Sequence, residues 1–122
     1  MGMSLHHVQV SCPAGSEDDL RAFYVGVLGM VELTKPPHLA ARGGAWFHDG
    51  TLEIHCGVEE TFCPARKAHP GIAVDDLEAL AATVAASGAE IRWNDDIPGL
   101  RRFHTDDPVG NRLEFQEARP TR

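Results

Sequence analysis

The first clear pattern is an alternation. From Leu5 to Ser11 the chain places Leu5, His7, Gln9 and Ser11 on one face and His6, Val8 and Val10 on the other. A period of two predicts a strand with one apolar face. Pro13 to Gly15 interrupt it, and Ser16 is a candidate N-cap with acids following in the first turn. Leu20, Phe23, Tyr24, Val27 and Leu28 then fall on one helical stripe, which Gly29 is placed to end. Short strands are predicted at 30–35, stopped by Pro36-Pro37, and at 45–48. Asp49-Gly50 reads as a hairpin turn into a strand over 51–58.

The same order then repeats. A strand at 71–74 follows His69, and a helix carries Leu77, Leu80, Ala81 and Val84 on one face before Ser87-Gly88 stops it. Strands are predicted at 90–94, 100–105 and 112–117, the last preceded by a turn at Asp107-Pro108-Val109-Gly110-Asn111. Matching landmarks lie about half the chain apart. His7 corresponds to His69, Asp18-Asp19-Leu20 to Asp75-Asp76-Leu77, Gly29 to Gly88, and Leu52-Glu53-Ile54 to Leu113-Glu114-Phe115. The expectation is an α+β fold: two tandem βαβββ modules, about 5–58 and 69–117, in one domain spanning 1–122. A linker is expected at 59–68, and the polar end from Ala118 to Arg122 is expected to fray.

Strand alternation gives these landmarks chemical meaning. With Val8, Val10, Ile72 and Val74 toward the helices, His7 and His69 point to the opposite, concave face. With Leu52, Ile54, Leu113 and Phe115 on the apolar side, Glu53 and Glu114 share that face. Two imidazoles and two carboxylates in a central groove form a mixed nitrogen and oxygen set. It suits a divalent metal ion (Zn, Ni, Co, Fe or Mn) rather than a structural thiolate site. His55 lies on the same strand face as Glu53 and is an alternative to it. His6 is expected at the surface or helix side, and His38, His48 and His104 in loops or at rims. Trp46 and Phe103 could line the groove. Arg101 and Arg102 read as solvated, with one able to reach an anionic substrate.

Composition narrows the function classes. A formal net charge of −7 with scattered basic residues argues against nonspecific nucleic-acid binding. No apolar run approaches the roughly 20 residues of a membrane span, and no signal peptide is visible, so a cytoplasmic protein is expected. Three cysteines, Cys12, Cys56 and Cys63, without a C-x-x-C pair fit a reducing compartment and inert buried thiols.

Leu5-His6-His7-Val8, Phe23-Tyr24-Val25-Gly26-Val27-Leu28-Gly29 and Asp107-Pro108-Val109-Gly110-Asn111-Arg112-Leu113-Glu114 carry a family resemblance. With the His69 strand they cover nearly the whole chain, which resembles the vicinal oxygen chelate superfamily of glyoxalases, bleomycin-resistance proteins and extradiol dioxygenases. The resemblance implies metal ligands at His7, Glu53, His69 and Glu114. It also implies a small-molecule substrate, a homodimer, and a Lewis-acid ion with Glu114 or Glu53 as general base in a lyase or isomerase reaction. Two alternatives come with it: a non-catalytic bleomycin-resistance-type binding dimer, and a ring-cleaving dioxygenase using two histidines and one carboxylate. The sequence departs from glyoxalase I in showing no basic cluster for the glutathione carboxylates.

Overall fold

The computed structural model describes residues 1–118. Residues 119–122 of the tail expected to fray lie outside them. The chain divides after Pro64, inside the expected linker, into two compact units.

Unit one runs β1 (Val8–Cys12), α1 (Glu17–Tyr24), β2 (Val31–Leu33), α2 (Pro37–Ala40), β3 (Ala45–Asp49) and β4 (Leu52–Val58). Its open, curved sheet has the order β1-β4-β3-β2, with β1 parallel to β4 and the other pairs antiparallel. Unit two runs β5 (Gly71–Val74), α3 (Leu77–Ala86), β6 (Arg92–Asn94), β7 (Arg102–Asp106) and β8 (Arg112–Glu117). Its order, β5-β8-β7-β6, repeats the first. The expected pair of βαβββ modules is present. Parallel pairing of first and last strands is possible because the helix and two intervening strands supply a long crossover.

Each helix stripe forms its unit's core. Leu20, Phe23 and Tyr24 of α1 are buried, as are Phe47 and Ile54 of the sheet, and the Tyr24 ring stacks on Phe47 at 5.1 Å. In unit two Leu77, Ala81 and Val84 are buried, as are Phe103, Leu113 and Phe115. Each of the larger aliphatic and phenylalanine side chains contributes roughly 1.5–3 kcal/mol of burial.

Three local features depart from the predicted pattern or refine it. First, α1 closes at Tyr24, before Val27 and Leu28. The amides of Gly26 and Leu28 bond to carbonyls five residues back, on Arg21 and Phe23, at 3.2 and 2.9 Å. Gly26 permits this loosened turn, since a Cβ there would collide with the Ala22 carbonyl. Second, Pro36-Pro37 ends β2 but also starts a helix: Pro37 sits at the first helical positions of α2, where its missing N–H costs nothing. Third, the turn before β8 is built from its own side chains. Asp107 Oδ1 accepts from the amides of Val109 (3.1 Å) and Asn111 (2.8 Å), and Oδ2 accepts from the Asn111 side chain at 3.0 Å.

Gly44, at φ +80°, fixes the entry to β3. Its amide donates to Glu17 Oε2 at 2.9 Å, and that bond holds the Glu17 carboxyl below its ordinary pKa. A Cβ at Gly44 would run into the Cys56 carbonyl.

The repeat is offset at its histidines. Val8 pairs with Ile54, so His7 precedes β1 by the one residue by which Glu53 precedes Ile54. In unit two Gly71 pairs with Glu114, and His69 lies two residues before the strand. His7 and His69 therefore occupy different register positions, contrary to the equivalence read from their spacing.

Candidate metal centre and ligand cavity

Unit two brings His69 and Glu114 together and adds His104. Glu114 lies on the central strand β8, where flanking strands exclude water from it. Its side chain is 11% exposed. Oε1 meets His69 Nε2 at 3.2 Å, His104 Nε2 at 3.1 Å and Arg102 Nη1 at 3.0 Å. Burial alone would raise the Glu114 pKa, but the His69 hydrogen bond and the charges of Arg102 and His104 outweigh it, and the carboxyl titrates below its ordinary value. The His104 imidazole is pushed down, chiefly by burial, against the opposing pull of Glu114. Both shifts favour a carboxylate and a neutral imidazole near neutral pH, the forms that bind metal.

His104 was expected in a loop or at a rim. It stands instead on β7, directly across the ladder from Glu114. Arg102, expected to be solvated, is on the same strand and donates to both Glu114 and Asn94.

The His69 ring carries further information. Its Nδ1 lies 2.6 Å from the Lys67 carbonyl, which can only accept, so Nδ1 bears the proton. In the neutral ring Nε2 then presents a lone pair to Glu114 Oε1, and two acceptors face each other at 3.2 Å. A proton or a cation between them resolves the conflict. A carbonyl fixing the outer nitrogen is also the usual support of a metal-binding histidine.

Unit one arranges its candidates differently. His7, immediately before β1, stacks on His55 at 4.1 Å, and His55 stacks on Trp46 at 4.2 Å, both pairs nearly parallel. Glu53 Oε2 meets His6 Nδ1 at 3.3 Å rather than His7. His55 is 6% exposed, and its Nε2 has no hydrogen-bond partner. Burial, and then the neighbouring His7, push its pKa down. These rings border a cavity of about 560 Å³, also lined by Glu53, Lys35 and Arg42. His38 lies on α2 and His48 on β3, opposite Glu53. Phe103, which could have lined a groove, is fully buried core.

The donor chemistry of unit two fits an ion. Two imidazole nitrogens and a carboxylate oxygen lie within 4.8 Å of one another. Ligands held at about 2.1 Å from one ion stand roughly 3.0–3.4 Å apart in octahedral or tetrahedral geometry, which matches the 3.1 and 3.2 Å contacts to Oε1.

No protein-family profile and no curated protein sequence matches the chain. Among solved structures, one from Bacillus anthracis described as of the glyoxalase family is 41% identical, with 98% of each chain covered and a TM-score of 0.92. Lactoylglutathione lyase from Agrobacterium tumefaciens is 17% identical over 96% of this chain and 95% of its own, with a TM-score of 0.73. The fosfomycin resistance protein FosX from Listeria monocytogenes is 14% identical over 98% and 96%, with a TM-score of 0.77. The last two show the fold alone, since one fold hosts many activities. At 41% identity over 98% of the chain, the first shows kinship: this chain belongs to the glyoxalase family of the vicinal oxygen chelate superfamily.

Proposed function

We propose that the chain is a glyoxalase-type metalloenzyme that moves a proton on a small substrate bearing vicinal oxygens, with a divalent ion held by His69, His104 and Glu114. The observation that carries this reading is the facing of His69 Nε2 and Glu114 Oε1 as two acceptors, with Nδ1 committed to Lys67. When bound, the ion supplies Lewis-acid polarisation of a substrate oxygen, lowering the cost of removing a proton from the adjacent carbon.

The protein's own groups divide the remaining work. Oε1 of Glu114 makes this carboxylate's side-chain contacts among the described residues, to His69, Arg102 and His104. Oε2 is left to accept a proton as general base. Arg102 holds the carboxylate in place. His7 and Glu53, the other residues marked by the family resemblance, remain candidate ligands, with His55 as the alternative to Glu53 and Glu53 as the alternative base. A cytoplasmic homodimer belongs to the same proposal.

Metal content of protein purified without added ions, and after reconstitution, tests this reading. Stoichiometric metal in the wild type, lost in Glu114→Ala and His104→Ala, is expected. Wild-type protein that takes up none sinks it. Hemithioacetals and α-hydroxy- or α-keto-acyl thioesters are the substrates to assay.

A second reading is favoured by composition: two histidines with one carboxylate is the set that holds non-haem iron in oxygenases. Oxygen uptake and ring cleavage of catechols by protein loaded with ferrous ion would favour it over proton transfer.

A further inference from the structure

The sequence shows no basic cluster, yet folding brings one to the cavity of unit one. Lys35 and Arg42 lie on either side of the short helix α2 and both line the 560 Å³ space. That size suits a small organic ligand. Lys35 Nζ stands 5.8 Å from the centre of the Trp46 ring, whose stacking partner is His55. Ammonium, indole and two imidazoles thus form a column along one wall. Lys35 donates one hydrogen bond, to the Gly43 carbonyl, and an ammonium has three donors. The Arg42 side chain has no ion pair or hydrogen bond among the described residues.

Two carboxylates lie in this region, and Glu53 lines the same cavity. Glu17, which feels the Lys35 charge, holds the Gly44 amide, and Glu53 meets His6. A protein with a formal net charge of −7 therefore keeps two cations beside a cavity, neither in a direct ion pair among the described residues. His55, 6% exposed, is also there, with no hydrogen bond to Nε2 among the described residues.

We infer that this cavity anchors the acid group of a small anionic ligand, a carboxylate or a phosphate, through Lys35 and Arg42. Guanidinium and ammonium supply complementary parts of such a site. The fork of Arg42 matches a planar or tetrahedral oxyanion, and Lys35 adds a point charge. Calling the ligand the substrate rests on the proposed enzymatic function; its binding does not.

The test uses Trp46 fluorescence in full-length protein carrying Trp93→Phe, with chelator present so that binding is read apart from metal. Mandelate, its neutral amide and inorganic phosphate are titrated at millimolar concentrations. Mandelate, phosphate or both should bind, the amide should not, and Lys35→Met and Arg42→Met should each weaken binding roughly tenfold or more. Preference for mandelate identifies a carboxylate site and preference for phosphate a phosphoryl site. Equal binding of the amide, unchanged affinity in both variants, or no response to either anion overturns the inference. Metal content measured separately on the same variants should be unchanged, so this failure and that of the metal reading are distinguishable.

Discussion

Replacing Glu114 with Gln removes one charge and keeps the shape of the side chain. Three groups converge on the oxygen that loses its charge: Arg102 donates to it, and the His69 and His104 imidazoles meet it, with side chains 17%, 25% and 15% exposed. Hydrogen bonds to a charged group are worth about 1.5–3 kcal/mol each, but the Gln oxygen still accepts and the freed donors regain some water. A net loss of about 2–3 kcal/mol follows, which in a chain of this size lowers Tm by roughly 10 °C. The loss should depend on pH in a definite direction. Glu114 titrates below its ordinary value of 4.5 when folded, so its contribution is complete above that pH and is lost as pH falls through the folded-state value. Thermal melts of both proteins in chelator, from neutral pH into acid, should show a gap that is constant near neutrality and closes in acid. Added zinc at ~100 times its Kd should raise wild-type stability by about 2.7 kcal/mol and leave Glu114→Gln unmoved. A variant as stable as wild type at neutral pH, or a gap indifferent to acid, would refute the convergence of these groups on a charged Oε1.

Other substitutions probe other parts of the structure. Gly44→Ala places a Cβ against the Cys56 carbonyl at positive φ and should cost about 2–4 kcal/mol in urea denaturation. Gly50→Ala, also at positive φ but with open space around it, should cost only about 1–2 kcal/mol. Asp107→Ala removes three acceptor contacts from the turn before β8 and should destabilise by about 2–3 kcal/mol in the same assay. His55→Phe keeps a ring between His7 and Trp46 and removes an unpaired nitrogen, so stability at neutral pH should hold or rise by about 1 kcal/mol. Because the His55 pKa is lowered in the fold, its wild-type stability is full above the ordinary value of 6.5 and falls in more acid solution. The variant's melts should show a smaller decline across that range.

The elements were legible where alternation or a helical stripe was strong: the expected strands at 71–74 and 112–117 are β5 and β8 residue for residue. Boundaries failed where backbone detail decided them, at Gly26, whose loosened turn ends α1 early, and at Pro37, which both stops a strand and starts a helix. His69 and Glu114 were found from the repeat, but His104 was missed although a signal for it existed. Asp107 and Asn111 close the hairpin, and counting back equally from them sets His104 opposite Glu114. The pairing of Lys35 with Arg42 had no comparable signal, because the intervening helix α2 and Gly43-Gly44 turn were unread.

The closing of each sheet by its last strand also bears on how the chain is made. β1 can pair only with β4, so Val8 must wait for Ile54, and Gly71 must wait for Glu114. Closing such loops costs conformational entropy before any ladder forms, which slows folding. During synthesis the first half can complete its sheet while the second is still being translated. β5 has no partner until β8 has emerged from the ribosome, so truncation before β8 would strip unit two of its central strand and leave two others without an edge to join.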